Sequence, residues 1–279
     1  MSLKSNGSIV LAGAGKMGAA MLAGWLDRGL DPATVIIQEP HLCGAALELA
    51  QKHGIKSVSG PMSDLEPLPS PPAVIVVAVK PQMMDEVFPA LAKIASAETV
   101  VMSIAAGKTI SSFERYLPPG TAVVRAMPNT PAAIGRGITG AVANNHTSAA
   151  QKEICEGLLG AVGDVVWVPD ESLIDAVTAV SGSGPAYVFL LAETLAQAGV
   201  AAGLDEATAK RLASATVSGA GELLHRSNSD PATLRQNVTS PGGTTAAALT
   251  VLMRDGDGLK DLMTDAVLAA LRRGRELGQ

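Results

Sequence analysis

The tightest constraint on this chain lies near its start. A short apolar run, residues 8–12, leads directly into Gly13-Ala14-Gly15-Lys16-Met17-Gly18. A helix-compatible stretch, 17–28, follows and is closed by Gly29. Strand, G-x-G-x-x-G turn and helix in that order open a βαβ unit built around a dinucleotide pyrophosphate. The first glycine permits the tight turn. The second lets the pyrophosphate approach the backbone, and the third lets helix and strand pack closely. Ala14, Lys16 and Met17 complete the phosphate-facing loop.

Such a unit calls for an acid at the end of its second strand, about 20 residues on, to bind the adenosine ribose. Glu39 stands there, after the apolar run 35–38, and no Arg follows closely. A carboxylate accepts from a free 2′-hydroxyl and repels a 2′-phosphate, so the residues lean toward NADH over NADPH. The alternative is a Glu39 that points into solvent.

The first 168 residues keep alternating strand-like and helix-like segments. Strands are expected at 8–12, 35–38, 74–79, 100–104, 122–125, 140–143 and 165–168. Helices are expected at 17–28, 43–53 and 82–95, with a stiff connector at 67–72. The run 74–79 is apolar throughout, as a central strand of a parallel sheet would be. Alternation of this kind implies an α/β Rossmann domain with a doubly wound, mostly parallel sheet. After Pro169 the strand pattern stops. Helices are expected at 170–180 and 186–198, separated by Ser181-Gly182-Ser183-Gly184-Pro185, then at 205–225, from Pro231, at 245–253 and at 259–277. The domains are therefore expected as 1–168, dinucleotide-binding, and 169–279, all-α.

Of the 279 residues, 47% are hydrophobic and only 3% aromatic. A core so rich in Ala and Gly packs helix backbones closely. Residues 186–192 would bury nearly all round, which about 110 residues of helix cannot provide alone, so a homodimer interlocked through the helical domain is expected. Net charge is −5 and no Lys/Arg cluster lies beside aromatics, which argues against nucleic acid. Arg272, Arg273 and Arg275 read as a solvated helix end. Two cysteines, Cys43 and Cys155, and four histidines without i, i+4 pairing give no metal site. The apolar run 186–192 ends at Glu193, too short for a bilayer. Residues 8–12 read as a strand and not a secretory segment, so the cytoplasm is the expected location.

Three further segments carry chemistry. Ala78-Val79-Lys80-Pro81 ends the central strand, where ligands of such sheets bind. Lys80 either overlooks the cofactor or is a surface charge. Arg125-Ala126-Met127-Pro128-Asn129-Thr130-Pro131 ends another strand in a loop fixed by two prolines, suited to presenting backbone to a nicotinamide. Asn129 could bond the cofactor, though a bond within the loop is the favoured reading. Finally, Val238-Thr239-Ser240-Pro241-Gly242-Gly243-Thr244-Thr245 feeds a turn into an Ala-rich helix. Its exposed backbone N–H groups are a seat for a small carboxylate, with the hydroxyls of Ser240, Thr244 and Thr245 around it.

Taken together with Ser181-Gly182-Ser183-Gly184-Pro185-Ala186-Tyr187, these motifs occur in the order seen in Δ1-pyrroline-5-carboxylate reductases, and nearly the whole chain resembles that family. The resemblance implies NAD(P)H-dependent reduction of 1-pyrroline-5-carboxylate to L-proline. It also implies a Rossmann domain, a helical dimerisation domain, and dimers that build into larger rings, commonly a pentamer of dimers. It places the substrate carboxylate on Ser240 and the N–H groups of Gly242, Gly243 and Thr244. The ring nitrogen falls to Thr245, and Met127-Pro128-Asn129 present the cofactor. Many members carry a small hydroxyl or basic residue where this chain has Glu39, which sets Glu39 against the family's usual NADPH. Two rivals are weighed against this reading. A β-hydroxyacid dehydrogenase needs a Lys acid/base on the first long helix of its second domain, and 170–204 contains none. A non-catalytic nucleotide-binding scaffold would have little use for the hydroxyls around the carboxylate seat.

Overall fold

A computed structural model describes residues 7–60 and 68–277. Of the expected connector at 67–72, Pro67 lies outside the described residues. By compactness the chain divides into two units, 1–182 together with 271–279, and 183–270. The expected boundary at Pro169 reflects where strands end, whereas compactness carries the first unit through the helical segment that packs back onto its sheet.

In the first unit, β1 (Ile9–Ala12), α1 (Lys16–Asp27), β2 (Val35–Gln38), α2 (Gly44–His53) and β3 (Lys56–Val58) form the opening half. Then come β4 (Val74–Val77), α3 (Met84–Ala92), β5 (Val100–Ser103), α4 (Ile110–Glu114), β6 (Ala122–Met127), β7 (Gly137–Ala143), α5 (Ala149–Gly160) and β8 (Gly163–Trp167). The strands make one sheet in the order β3-β2-β1-β4-β5-β6-β7-β8. All neighbours run parallel except β6 and β7. This is the doubly wound, mostly parallel sheet that the alternation implies.

The central strands β1, β2, β4 and β5 are buried on both faces because both are covered. Along β1, Ile9 and Leu11 face the layer of α1, α2 and α5, while Val10 and Ala12 face that of α3 and α4. Trp25 anchors the first layer and donates its indole N–H to the Leu158 carbonyl at 2.9 Å. Phe88 anchors the second, edge-on to Phe113 at 5.0 Å between ring centres. Cys155 is sealed in the first layer, and burial pushes its thiol up to about 12, so it is an inert core residue.

The segment expected as one helix over 170–180 is built in three styles. A 3₁₀ turn covers Glu171–Leu173, α6 covers Ile174–Val177, and a π-helical turn covers Thr178–Gly182. Wide π turns of this kind often mark functional sites.

In the second unit, α7 (Gly184–Ala201) and α8 (Glu206–Arg226) pack through small residues. Ala196, Ala209 and Ala213 are buried, and a Cβ on Gly199 would stand 3.2 Å from that of Ala209. α9 (Pro231–Asn237), α10 (Thr244–Leu252) and α11 (Leu259–Leu277) follow, the last turns of α11 belonging to the first unit. Asp205 caps α8 through the Thr208 N–H at 3.0 Å, and Asp230 caps α9 through that of Thr233 at 3.0 Å. Hydrogen bonds to Thr208 and Thr233 hold both carboxyls below the usual range.

The apolar stretch is longer than residues 186–192 alone. The helical run Glu171–Ala201 contains an 18-residue window of mean hydropathy 1.3, long and apolar enough by those measures to span a bilayer, with 11% of that window buried. Phe189, Leu190 and Leu191 are 68%, 57% and 50% exposed in the single chain.

Candidate active site

The dinucleotide loop is built as its sequence requires. Gly13 has φ +91°, and a Cβ there would lie 2.6 Å from the Ala78 carbonyl at the end of β4. A Cβ on Gly18 would lie 2.3 Å from the Gly13 carbonyl oxygen. Gly15 differs. As the N-cap of α1 it has, beyond its own chain neighbours, no protein atom within 4 Å of where a Cβ would stand. That open space over a helix N-terminus with no acid in its first turn fits a pyrophosphate, which a side chain would displace. Lys16 is exposed beside it and Met17 is half-buried.

Glu39 does not point into solvent. It is half-buried at the end of β2, its Oε2 accepting from the Ala14 N–H at 3.0 Å and its Oε1 from the His41 N–H at 3.2 Å. Each oxygen keeps lone-pair capacity for a further donor. The carboxylate is thus fixed beside the glycine loop, where an adenosine ribose would be read.

At the end of β4, Ala78 is held by its N–H to the Ala12 carbonyl at 2.7 Å, and Val79 is half-buried. Lys80 is exposed, and Pro81 turns the chain into a 3₁₀ turn. At the end of β6, Met127 is half-buried, and Pro128 and Asn129 are buried. The Asn129 side chain is committed within the protein: Nδ2 donates to the Ser181 carbonyl at 3.1 Å, and Oδ1 accepts from the Ile138 N–H at 3.0 Å. A helical carbonyl at 181 would look to the N–H of residue 185, which is a proline and has none. Asn129 supplies the missing donor. The bond favoured within the loop is not what forms: both partners of the Asn129 side chain lie outside residues 125–131.

In the second unit, Gly242 takes φ +69° and the Gly243 N–H donates to the Ser240 carbonyl at 3.0 Å. Gly243 thus closes the turn, which removes its N–H from the expected anion seat. The N–H groups of Thr244 and Thr245, in the first turn of α10, have no intrahelical acceptor. Ser240 and Thr244 are exposed and Thr245 is half-buried. Among the described residues no group of three or more His, Cys, Asp or Glu could hold a metal.

One cluster was not anticipated. Arg125, only 5% exposed, pairs through Nη1 with Glu171 Oε1 at 2.9 Å and through Nη2 with Asp175 Oδ1 at 3.7 Å. The signal was present: an arginine inside an otherwise apolar strand must find acids, and Glu171 and Asp175 are spaced i, i+4. Removing the cation would strand two carboxylates at a cost of about 3–5 kcal/mol.

The fold and loop define a nicotinamide-dinucleotide oxidoreductase with a helical dimerisation domain. Residues 8–107 match the family described as NADP oxidoreductase, coenzyme F420-dependent, and 171–277 match that described as pyrroline-5-carboxylate reductase dimerisation. A pyrroline-5-carboxylate reductase from Synechocystis sp. is 42% identical over 96% of this chain and 97% of its own length. The structure of one from Coxiella burnetii superposes with a TM-score of 0.89 at 35% identity, covering 99% of this chain and 100% of the other. A pyrroline carboxylate reductase from Plasmodium falciparum, with NADP bound, gives 0.79 at 27% identity over 98% and 99%. The chain belongs to the pyrroline-5-carboxylate reductase family. Its exposed apolar helices are those of a dimerisation domain, and the protein is a homodimer.

Proposed function

We propose that the chain reduces 1-pyrroline-5-carboxylate to L-proline, the last step of proline biosynthesis, in the cytoplasm. The observation that carries this reading is that likeness to proteins named for that activity runs through both units, not the dinucleotide unit alone. The dinucleotide supplies the hydride. α1 and the Gly15 cradle hold its pyrophosphate, and the Met127-Pro128-Asn129 loop orients its nicotinamide end. Ser240, with the N–H groups of Gly242 and Thr244, holds the substrate carboxylate. The Thr245 hydroxyl bonds the ring nitrogen, which becomes the amine as the imine carbon accepts hydride. An imine that enters already protonated brings the proton with it, so no dedicated acid is required. Orientation of the two reactants then supplies most of the rate. Assay with 1-pyrroline-5-carboxylate and each nicotinamide cofactor is the direct test, and no proline formed with either would refute the reading.

Thr245→Ala keeps a good helix former and removes the hydroxyl. It is expected to lower kcat/KM by about 10-fold or more, roughly 1.4 kcal/mol, with folding intact. An unchanged kcat/KM would remove Thr245 from the site.

For cofactor choice the reading is NADH. The fixed Glu39 carboxylate accepts from the ribose hydroxyls, and no Arg follows within 40–42 to neutralise a 2′-phosphate. At about 4 Å and an effective dielectric of about 20, each such like-charge pair costs about 4 kcal/mol. At matched ionic strength, kcat/KM should favour NADH, and Glu39→Ser should narrow or reverse the ratio. A clear NADPH preference in the unmutated enzyme would count against it. The homodimers are proposed to assemble further as a pentamer of dimers.

A further inference from the structure

We propose that Arg125 is a positioning residue for hydride transfer. Held between Glu171 and Asp175, it fixes the carboxyl end of β6 against the 171–182 segment and so sets where the Met127-Pro128-Asn129 loop presents the cofactor. The inference rests on the reductase reading above. Val123, Arg125 and Met127 alternate onto one face of the sheet, the face that carries Phe88, Phe113 and Ile174. A methionine or leucine at 125 could fill an apolar layer without the desolvation a guanidinium incurs, so an arginine here calls for a geometric role.

The geometry supplies one. The guanidinium reaches Glu171 and Asp175, and Glu171 Oε1 also accepts the N–H of Ile110, the first residue of α4, at 2.8 Å. One cation with its two acids therefore ties β6, the 171–177 segment and α4 together. Further along the strand the same two segments meet twice more. The Met127 Cε lies 3.0 Å from where a Cβ on Gly182 would stand, and Asn129 holds the Ser181 carbonyl. Three links, at 125, 127 and 129, join β6 and its loop to the 171–182 segment. Only the first is an ion pair. It depends on a planar fork with two donors aimed at two acids, a geometry that a lysine ammonium does not reproduce.

The test is made on the full-length enzyme with Arg125→Lys, which keeps the charge and loses the fork, and with Asp175→Asn, which weakens the longer arm alone. Four quantities are read: kcat per titrated active site, both KM values, the isotope effect with a dinucleotide deuterated at the transferred C4 position, and the melting temperature. Arg125→Lys is expected to lower kcat per site by about 10-fold while both KM values stay within about 2-fold, with an isotope effect equal to or above that of the unmutated enzyme. Asp175→Asn should move the same readouts less, in the same direction. Unchanged kcat per site, whatever the melting temperature does, would reduce the cluster to a purely stabilising one and overturn the proposal. So would a falling isotope effect, which would put the loss outside the hydride step. If Arg125→Lys does not fold, Asp175→Asn decides on the same readouts. Failure of the unmutated enzyme to form proline would instead remove the reductase reading.

Discussion

Leu190→Asp is expected to take the assembly apart. Leu190 is 57% exposed in the single chain, between Phe189 at 68% and Leu191 at 50%, on a helix inside the stretch that matches the dimerisation family. Two-fold symmetry brings the substitution in twice. Each carboxylate would then be desolvated without a partner, at several kcal/mol per ion. Sedimentation should show monomers or aggregates in place of the assembled species, and proline formation should be lost with it. The unmutated enzyme in the same run should show the mass of ten chains if the dimers form a five-fold ring. A mutant that stays associated and active would place α7 away from the subunit interface.

The second large effect divides between two glycines three residues apart. Gly18→Ala sets a Cβ against the Gly13 carbonyl oxygen, which must give way. Overpacking of this order costs about 1–3 kcal/mol, so the melting temperature and dinucleotide affinity should fall together. Gly15→Ala meets no protein atom and should melt with the unmutated enzyme. Its methyl group intrudes only where the pyrophosphate would lie. Titration of NADH fluorescence should then give a Kd raised by about 10-fold or more, roughly 1.4 kcal/mol. A Gly15→Ala protein that binds NADH as tightly as the unmutated one would empty the cradle of its assigned role.

The readable parts of this chain are those whose physics is local. The glycine fingerprint, the apolar strand runs, and the Asp205 and Asp230-Pro231 caps each act within a few residues of themselves, and they stand where the sequence put them. β3 was missed because Lys56-Ser57-Val58 is a half-solvated edge with no apolar run. α5 was missed because its Ser148 capping box is followed by a weakly apolar stretch. The 170–180 stretch read as one helix because composition does not distinguish 3₁₀, α and π turns. In the candidate site, the position of Glu39 was legible and its grip on Ala14 was not. The turn from Ser240 to Thr245 was legible as an exposed helix start, but not that Gly243 bonds back to Ser240. Arg125 found Glu171 46 residues away and Asp175 one helical turn further on, a distance over which a single sequence carries no pairing information.

The chain enters the helical unit after Gly182 and comes home again at Leu271, so that unit is a long insertion into the first and not its tail. The Leu277 carbonyl oxygen lies 3.5 Å from where a Cβ on Gly107 would stand, in the loop that follows β5. A chain stopped after Ala270 would therefore lack a piece of the dinucleotide unit, not the end of the helical one. An affinity tag fused at the carboxyl terminus would load that same unit. A protease nick between 182 and 183 would cut the chain into 1–182 and 183–279, the second fragment still carrying residues 271–279 of the first unit.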